Sequence, residues 1–505
     1  MSNQPSPDLL SLDGLGVLSQ SVATVDGAEV GLRRHDSKPE LAVLAPGGSS
    51  VLQTFEGTAS STLHGDRTLL VGPVNAQNAA ALRRLLPWLE PHTLGLRTSA
   101  GLGDRLGLAT PGHVRAIRAV GGSIAPIFAQ QSIREMARTG RTPQQVMDEA
   151  LWGVFAEGWR DGFGADADHL KTPEDIDSCV AAGFTFFTVD PGEYVENKAA
   201  ALNAGALLGA FEALPWEKLE DTPDALRRRY LSRRYDLEGQ VLAFDDQTLL
   251  QAAVKYGHVV LHVLTMYRHL MSATSGKACE LEISVDETEL PTTHLEHIYI
   301  ASELRRLGVQ WVSLAPRYIG RFEKGVDYIG DLQTFEADFA LHAAIARQLG
   351  PYKLSLHSGS DKFSVYPIAA QQTQGQVHLK TAGTSYLEAL RTVVQLEPGF
   401  FREIYHFALA NYETDRASYH VSAQLQRAPR VDDTADGDLP PLLDQFDARQ
   451  ILHVTFGSVL TTRAPDGKRL FYDRLVALLR AHPQDYATNL EAHFRRHLAP
   501  FVVSQ

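Results

Sequence analysis

The chain has 505 residues, a formal net charge of −13 and a hydrophobic share of 44%. This length exceeds one plain domain and indicates a large barrel with additions, or two to three domains. The negative charge argues against a nucleic-acid partner, because a phosphate backbone requires a basic face.

Two cysteines, Cys179 and Cys279, are too few for a disulfide framework, and they form no Cys-x-x-Cys zinc motif. The first residues are polar and carry no apolar signal segment, and no apolar run is long enough to span a bilayer. We therefore expect a soluble, cytoplasmic protein without a membrane partner.

Residues 1–90 predict a small N-terminal α/β domain. Short apolar runs at 41–45 and 68–71 are followed by a helix-like stretch at 78–89. Because no catalytic cluster occurs in this part, we interpret it as a packing or lid domain.

From Thr93 onward, strand-length apolar runs alternate with helical segments. Thr142-Pro143 and Thr172-Pro173 are typical helix starts, as is Thr110-Pro111. Strands that alternate with helices predict a parallel sheet, and eight such units predict a closed (β/α)₈ barrel over residues 91–430. A doubly wound sheet is the alternative, but no Gly-x-Gly-x-x-Gly turn follows the first strand. The predicted strands are 94–98, 124–129, 165–170, 184–189, 280–285, 311–315, 353–356 and 377–381.

Two regions extend this barrel. Residues 191–276 predict a helical insertion that includes the barrel helix at 249–271, and we interpret the basic residues at 227–234 as a solvated helix face. Residues 431–441, rich in Asp and Pro, predict a linker, and 431–505 predict a C-terminal helical region.

Polar residues on the inward phase of the strands indicate an active site. Side chains alternate along a strand, so outward Leu281 and Ile283 place Glu280, Glu282, Ser284 and Asp286 inward. Charged groups inside a dry barrel are costly, and near strand ends they are typical of a barrel active site. A structural ion-pair network is the alternative. The same phase argument gives the candidates Asp190, Arg317, Ser355, His357, His378 and Lys380.

The third strand leaves its inward residue open. Asp166 and Asp168 share one face and His169 takes the other. His169, Glu282 and His357 together would give two imidazoles and one carboxylate, which suit zinc or a transition-metal ion and leave positions for substrate.

Three loops predict substrate contacts, namely residues 101–107 after strand one, 130–131 after strand two and 357–362 after strand seven. Residues 101–107 contain glycines that permit close backbone approach, and Arg105 can bind a carboxylate with two hydrogen bonds. Ordinary turn chemistry is the alternative for the loops after strands one and seven. The substrate-binding candidates are Asp104, Arg105, Gln130, Arg317, Ser358, Asp361 and Lys362.

Long motifs run from about residue 90 to the C-terminal helices. They are GLGDRLGLATPGH, PIFAQQSIRE, GFGADADHLKTPED, FTFFTVDPG, EISVDETELPT, YKLSLHSGSDKFSVYP, HLKTAGTSYLEAL, YHVSAQL and ARQILHVTFGSVL. These motifs resemble the tagaturonate/fructuronate epimerase family. The resemblance implies hexuronate metabolism, interconversion of D-tagaturonate and D-fructuronate, and a divalent metal (Zn, Mn or Ni) whose ligands would be Glu282, His357 and then His169.

The implied reaction inverts a carbon that is not next to the ketone, so simple enolisation would not achieve it. We expect retro-aldol cleavage and re-addition through a metal-bound enediolate. Arg105, Lys362 or Arg317 would hold the substrate carboxylate, and the candidate catalytic residues are Asp168, Asp190, His378 and Lys380.

Other interpretations stay open at this point. A ketohexose 4-epimerase, a class II aldolase-like lyase or an aldose–ketose isomerase would use the same scaffold. Transient oxidation would require a nicotinamide cofactor, and a sugar-acid binding protein would require no chemistry. A small-molecule sugar acid is the expected partner, and the sequence is compatible with a homo-oligomer.

Overall fold

A computed structural model describes residues 11–36, 38–60 and 66–502. The first part forms an antiparallel sheet in the order β1-β2-β3-β5-β4, accompanied by α1 (Ser50–Gln53) and α2 (Ala76–Leu85). Its strands are β1 (Ala23–Val25), β2 (Ala28–His35), β3 (Lys38–Pro46), β4 (Thr58–Ser60) and β5 (Arg67–Pro73).

The centre of the molecule is a closed barrel of eight parallel strands, which confirms the predicted (β/α)₈ architecture. Its order is β12-β13-β14-β15-β6-β7-β8-β9, so β9 pairs with β12 and β15 pairs with β6. The strands, with a hairpin of β10 and β11 between them, are β6 (Ser99–Leu102), β7 (Ala125–Ser132), β8 (Gly164–Leu170), β9 (Phe186–Val189), β10 (Arg234–Leu237), β11 (Gln240–Ala243), β12 (Glu280–Ser284), β13 (Ser313–Ala315), β14 (Lys353–Leu356) and β15 (Val377–Thr381).

The first barrel strand was predicted at 94–98, and this prediction was wrong. The strand begins at Ser99. Before it, the backbone N–H groups of Leu94 and Gly95 donate to Glu280 Oε1, and Gly95 has a φ of 64°, so residues 94 and 95 form a turn. This positive φ turns the chain under the barrel before the strand begins.

Helices surround the barrel and continue beyond it. Thr142 and Thr172 cap their helices with capping boxes as predicted, whereas Thr110 is itself the first helical residue. The helices are α3 (Thr110–Val120), α4 (Ile133–Thr139), α5 (Pro143–Ala156), α6 (Pro173–Ala182), α7 (Ala204–Glu212), α8 (Pro223–Leu231), α9 (Asp246–Thr274), α10 (His294–Arg306), α11 (Leu332–Leu349), α12 (Tyr366–Thr373), α13 (Thr384–Leu396), α14 (Pro398–Asp415), α15 (Phe446–Val454), α16 (Phe456–Thr461), α17 (Tyr472–Ala481) and α18 (Pro483–Leu498).

The insertion at 191–276 is not purely helical, which corrects the prediction for this segment. It contains the β10–β11 hairpin, whose two turn residues, Glu238 and Gly239, both have positive φ. Such a two-residue turn matches the twist of paired strands. The strands were missed because each has only four residues, too few for alternation to stand out within a helical segment.

One hydrophobic cluster contains residues of the N-terminal sheet, the barrel wall and the C-terminal helices, among them Val30, Leu151 and Leu490. The predicted boundaries at residues 90 and 430 stay predictions. Within the described ranges, no helix combines the length and the apolar character that crossing a membrane requires.

Helix α18 packs closely on α3 at Gly112. A Cβ on Gly112 would lie 2.5 Å from Leu490 Cβ and 3.1 Å from the carbonyl oxygen of Ala487. These atoms are at or near the backbone of α18, so they have little freedom to move aside.

We expect Gly112→Ala to lower the free energy of unfolding by about 1–3 kcal/mol, because the added methyl group separates the two helices. The matched control is Gly209→Ala in α7, where a Cβ would meet no atom within 4 Å. That change is expected to raise stability by about 0.5–1 kcal/mol, since alanine is the better helix former. Urea unfolding measures both, and a Gly112→Ala protein as stable as the parent would contradict the close contact.

Candidate active site

The ammonium group of Lys380 lies inside the barrel among three carboxylates. Its Nζ is 2.9 Å from Asp166 Oδ2, 2.8 Å from Asp168 Oδ1 and 2.9 Å from Glu282 Oε1. It also donates a hydrogen bond of 2.6 Å to Thr188 Oγ1. All five side chains are buried and come from four strands, so closure of the barrel creates this group, which is named the Lys380 cluster.

The cluster sets the protonation of its members. Burial raises the pKa of Asp166 to about 7, against the attraction of Lys380. Burial would also raise the pKa of Glu282, but the nearby positive charges, Lys380 first, lower it to about 2. Burial disfavours the charge of Lys380, yet the three carboxylates raise its pKa well above the usual value. Lys380 therefore stays protonated and is unsuited to act as a base.

The end of strand β8 brings residues from both of its faces, Asp168 and His169, to the site. Asp168 points inward, while His169 has a φ of 55°, in the left-handed region. The pairing of β8 with β9 also shifts register between Ala167 and Leu170. As a result the His169 ring lies 4.6 Å, centroid to centroid, from the ring of His357. The alternation left a choice between Asp168 and His169, and the structure brings both together.

Asp168, His169 and His357 each offer a ligand atom, and these atoms lie within 4.8 Å of one another. His357 Nε2 is 3.0 Å from Asp168 Oδ1 and 3.8 Å from Glu282 Oε1. Two imidazoles with carboxylate oxygens are a donor set that zinc and transition-metal ions accept. Of the predicted ligands, His169 and His357 group with Asp168, whereas Glu282 is not a member of this group and lies 3.8 Å from His357 Nε2.

Asp190 follows β9 and orients His169. Its Oδ2 lies 2.9 Å from His169 Nδ1, and its Oδ1 accepts the N–H of Gly192 at 2.9 Å. A proton held on Nδ1 leaves the other ring nitrogen, Nε2, free to act as a ligand. This contact makes Asp190 a positioning residue.

A cavity of about 360 Å³ lies beside these residues, and a narrower pocket next to it shares His357 and Ser358 in its lining; the two together are called the cavity. Arg105 lines the narrow part, where its Nε donates to Glu135 Oε1 at 2.9 Å and its guanidinium stacks on the Phe456 ring. Of the predicted substrate-binding residues, those at or directly beneath the cavity are Arg105, Gln130, Arg317 and Ser358.

Two predicted substrate-binding residues bind the backbone instead of facing the cavity, which corrects their predicted roles. The carboxylate of Asp104 accepts N–H groups of the loop that leads into α3, including that of Ala109 at 2.6 Å. The ammonium of Lys362 donates to three backbone carbonyls, among them those of Glu323 at 2.7 Å and Ser360 at 2.8 Å. Burial lowers the pKa of Lys362 to about 7.

Asp361 likewise lies outside the cavity and joins the barrel to the C-terminal helices, so its predicted substrate role is also corrected. Its Oδ2 accepts from Arg449 Nη2 on α15 at 3.0 Å, and its Oδ1 lies 2.8 Å from His493 Nε2 on α18. Its backbone N–H donates to His497 Nε2 at 3.0 Å. These turn residues therefore serve packing, which agrees with the alternative of ordinary turn chemistry.

His378 was predicted to be catalytic, but it lies one layer below Lys380. Its Nδ1 is 2.8 Å from Ser99 Oγ, and its ring packs on Phe186. Burial lowers the pKa of His378 to about 3, so the ring is neutral. It does not line the cavity above the Lys380 cluster.

The sequence analysis missed several residues that line the cavity. Glu287 directly follows Asp286 and has the outward phase of strict alternation, so the inward run 280–286 did not include it. Lys324 and Tyr419 lie in irregular segments without any periodic pattern. The missed residues are Arg134, Glu135, Glu287, Lys324, Tyr419 and His453.

Comparison with known proteins agrees with this architecture. The family model described as tagaturonate epimerase (UxaE) matches residues 18–501. The chain belongs to the tagaturonate epimerase family. A tagaturonate/fructuronate epimerase of Thermotoga maritima is 46% identical over 426 residues, which cover 84% of this chain and 85% of the relative.

Solved structures of the family superpose over nearly the whole chain. The native fructuronate-tagaturonate epimerase UxaE of Cohnella laeviribosi has a TM-score of 0.90 and 38% identity, and the match covers 97% of this chain and 96% of that one. A form of that enzyme with one glycerol bound matches with the same TM-score at 37% identity. Membership in the family confirms the predicted enzyme class, an isomerase that acts as a carbohydrate epimerase.

We expect Asp361→Asn to destabilise this epimerase by about 3–5 kcal/mol, because Arg449 would be left buried without its counter-charge. At a temperature where the variant is folded, KM should stay within about twofold, since Asp361 does not face the cavity. Asp436→Asn is the matched control, because its pair with Arg402 is 68% exposed at the aspartate and should change stability by less than about 1 kcal/mol. A tenfold rise in KM without loss of stability would show that Asp361 binds the substrate after all.

Proposed function

We propose that this epimerase interconverts D-tagaturonate and D-fructuronate with the aid of a bound divalent metal ion. The family match and the two relatives named for this pair of substrates support the substrate assignment. The observation that carries the metal proposal is the buried meeting of Asp168, His169 and His357 in the lining of the cavity.

Asp168, His169 and His357 would hold the ion, and Glu282 lies close enough to join them. The residues fit such an ion because each presents a nitrogen or oxygen ligand atom, and Asp190 fixes the ring of His169. Zinc, manganese and nickel all accept this donor set. When bound, the ion would supply a Lewis acid for the keto and adjacent hydroxyl oxygens of the substrate.

The proposed reaction is retro-aldol cleavage followed by re-addition. The hydroxyl group on the carbon to be inverted gives its proton to a carboxylate of the protein, and the bond from that carbon to the carbon next to the ketone breaks. The aldehyde half then turns, the bond re-forms on its other face, and the proton returns to the oxygen. No C–H bond of the inverted carbon breaks in this sequence.

Glu135 and Glu287 are the carboxylates proposed to exchange this proton. They line the cavity from different segments, the junction of β7 with α4 and the loop after β12. Burial would raise the pKa of Glu287, but His169, Lys324 and other cations lower it to about 2, so the carboxylate is deprotonated at neutral pH. Lys380, which stays protonated, would stabilise negative charge on the substrate oxygens.

The wide part of the cavity carries cationic side chains that a substrate carboxylate could pair with, beside four acidic ones: Arg317, Arg321 and Lys324 against Asp286, Glu287, Glu289 and Glu323. Arg317 and Lys324 line this part, and Lys324 Nζ donates to Ser358 Oγ at 3.0 Å. They supply local positive charge in a chain whose net charge is −13. We therefore propose that they face the carboxylate of the uronate.

D-tagaturonate deuterated at the carbon to be inverted tests the reaction. We expect fructuronate that retains the deuterium, without a primary isotope effect, because retro-aldol cleavage leaves that C–H bond intact. NMR of the mixture measures both quantities. Deuterium lost to water would contradict the mechanism, accumulation of three-carbon products would indicate an aldolase-like lyase, and activity confined to neutral ketohexoses would overturn the substrate assignment.

Glu287→Gln should slow this reaction by about 100-fold or more, the typical contribution of a proton-transfer group. Glu193→Gln is its control, since Glu193 is 72% exposed in a surface pair with Lys171. Steady-state kinetics measure both variants, and a Glu287→Gln enzyme as fast as the control would remove Glu287 from proton transfer.

Removal of the metal tests the ligand assignment. We expect His357→Ala and exhaustive chelation each to abolish epimerisation, and Asp190→Asn to weaken metal binding by about 10–100-fold through the lost support of His169. Excess metal should restore the Asp190→Asn enzyme. Asp177→Asn removes a similar His–Asp contact at the surface, with His269, and should leave the affinity unchanged. Full activity of the chelated enzyme would contradict the proposal.

A further inference from the structure

A second group of histidines lies outside the barrel, between α10 and α11. His294 is the first residue of α10, and Asp338 and His342 are four residues apart on α11, which places them on one face of that helix. Their ligand atoms lie within 4.8 Å of one another. This group, called the outer His cluster, plays no part in the proposed epimerisation.

The distances within the outer His cluster suit ligands of one ion. His294 Nε2 is 3.1 Å from Asp338 Oδ1, and His342 Nε2 is 3.7 Å from Asp338 Oδ2. His294 Nε2 also lies 3.1 Å from the backbone carbonyl oxygen of Asp338, a contact that it exchanges for the ion on binding. His342 is fully buried, and its Nε2 has no hydrogen-bond partner among the described residues, nor has the buried Asp338 Oδ2. A buried acceptor without a partner is costly, so both atoms require something more than the contacts they make here.

The charges around the cluster also favour a cation. Within the part of the chain that the structure describes, no Lys or Arg lies in ion-pair contact with Asp338. Asp361, His493 and His497 form a similar group, but their ligand atoms already have partners. Arg449 donates to Asp361, and the backbone N–H of Asp361 donates to His497.

A hydrogen-bonded chain supports the ring of His342 from behind. His342 Nδ1 is 2.9 Å from His297 Nδ1, and His297 Nε2 is 2.8 Å from the Tyr352 hydroxyl. A proton on His342 Nδ1, donated to His297, leaves His342 Nε2 bare to bind a metal. The opposite direction of this chain would put a proton on Nε2 instead, and the backbone of Thr292 also makes a hydrogen bond to the ring.

We infer that His294, Asp338 and His342 form a second metal site, which takes Zn²⁺ or a similar divalent ion. Two imidazoles and one carboxylate leave a fourth tetrahedral position for water. The His294 and Asp338 side chains are 23% and 16% exposed, so an ion can enter from solvent. The bound ion joins α10 to α11, behind the cavity wall where Tyr318 packs on His342.

Zinc titration of chelator-stripped protein tests this inference, with the bound equivalents counted by mass spectrometry of the metal. We expect two equivalents for the parent chain, one for His294→Ala, one for His357→Ala and none for the double variant. His342→Phe should lose the same equivalent as His294→Ala, and His294→Ala guards against misfolding of the buried variant because His294 is half-buried. His406→Ala, at an exposed pair with Asp432, is the control and should retain both equivalents.

The variants separate this inference from the proposed reaction. One equivalent that is lost in His357→Ala but kept in His294→Ala and His342→Phe would overturn the second site and leave the active-site metal standing. One equivalent that is lost in His294→Ala and in His342→Phe but kept in His357→Ala would support the second site and overturn the active-site metal. His294→Ala loaded with zinc should keep kcat/KM within about threefold, because the outer His cluster lies outside the cavity.

Discussion

The site depends on the balance of charge around Lys380. Three carboxylates inside a barrel would repel one another and remain desolvated, and the single ammonium group compensates them at contact distance. The same contacts hold the carboxylates of Asp168 and Glu282 near His357 Nε2, at 3.0 Å and 3.8 Å. The ion cluster therefore holds Asp168, one of the proposed metal ligands, and Glu282 beside it.

The end of strand β8 departs from regular strand geometry, and this departure adds His169 to the site. A regular β8 would have directed His169 to the outer helices, away from Asp168. Its left-handed φ costs free energy for a residue with a side chain, and such backbone is typical of functional sites. Asp190, at the end of the neighbouring strand, then holds the ring in its new position.

Regular geometry is the part of this molecule that the sequence could predict. Period-two alternation identified Glu282, His357 and Lys380, because β12, β14 and β15 are regular strands, and the count of alternating units predicted the barrel. Alternation also placed His378 inward correctly, but it carries no information on depth along the barrel. Residues in loops follow no period, so alternation could not test them. Asp361 and Lys362 therefore resembled a substrate turn, although they bind helices and backbone. Lys324 and Tyr419 line the cavity but gave no signal in the sequence.

The contacts of Asp361 give the C-terminal helices a role in the site. Arg449 on α15 and His493 on α18 bind a residue only four positions beyond His357. On the same side, Tyr419 and His453, both after the last barrel strand, line the cavity. The chain beyond β15 therefore builds part of the wall and fixes the loop that carries His357. Without the C-terminal helices, the loop that carries His357 would lose the contacts that Arg449, His493 and His497 make to Asp361.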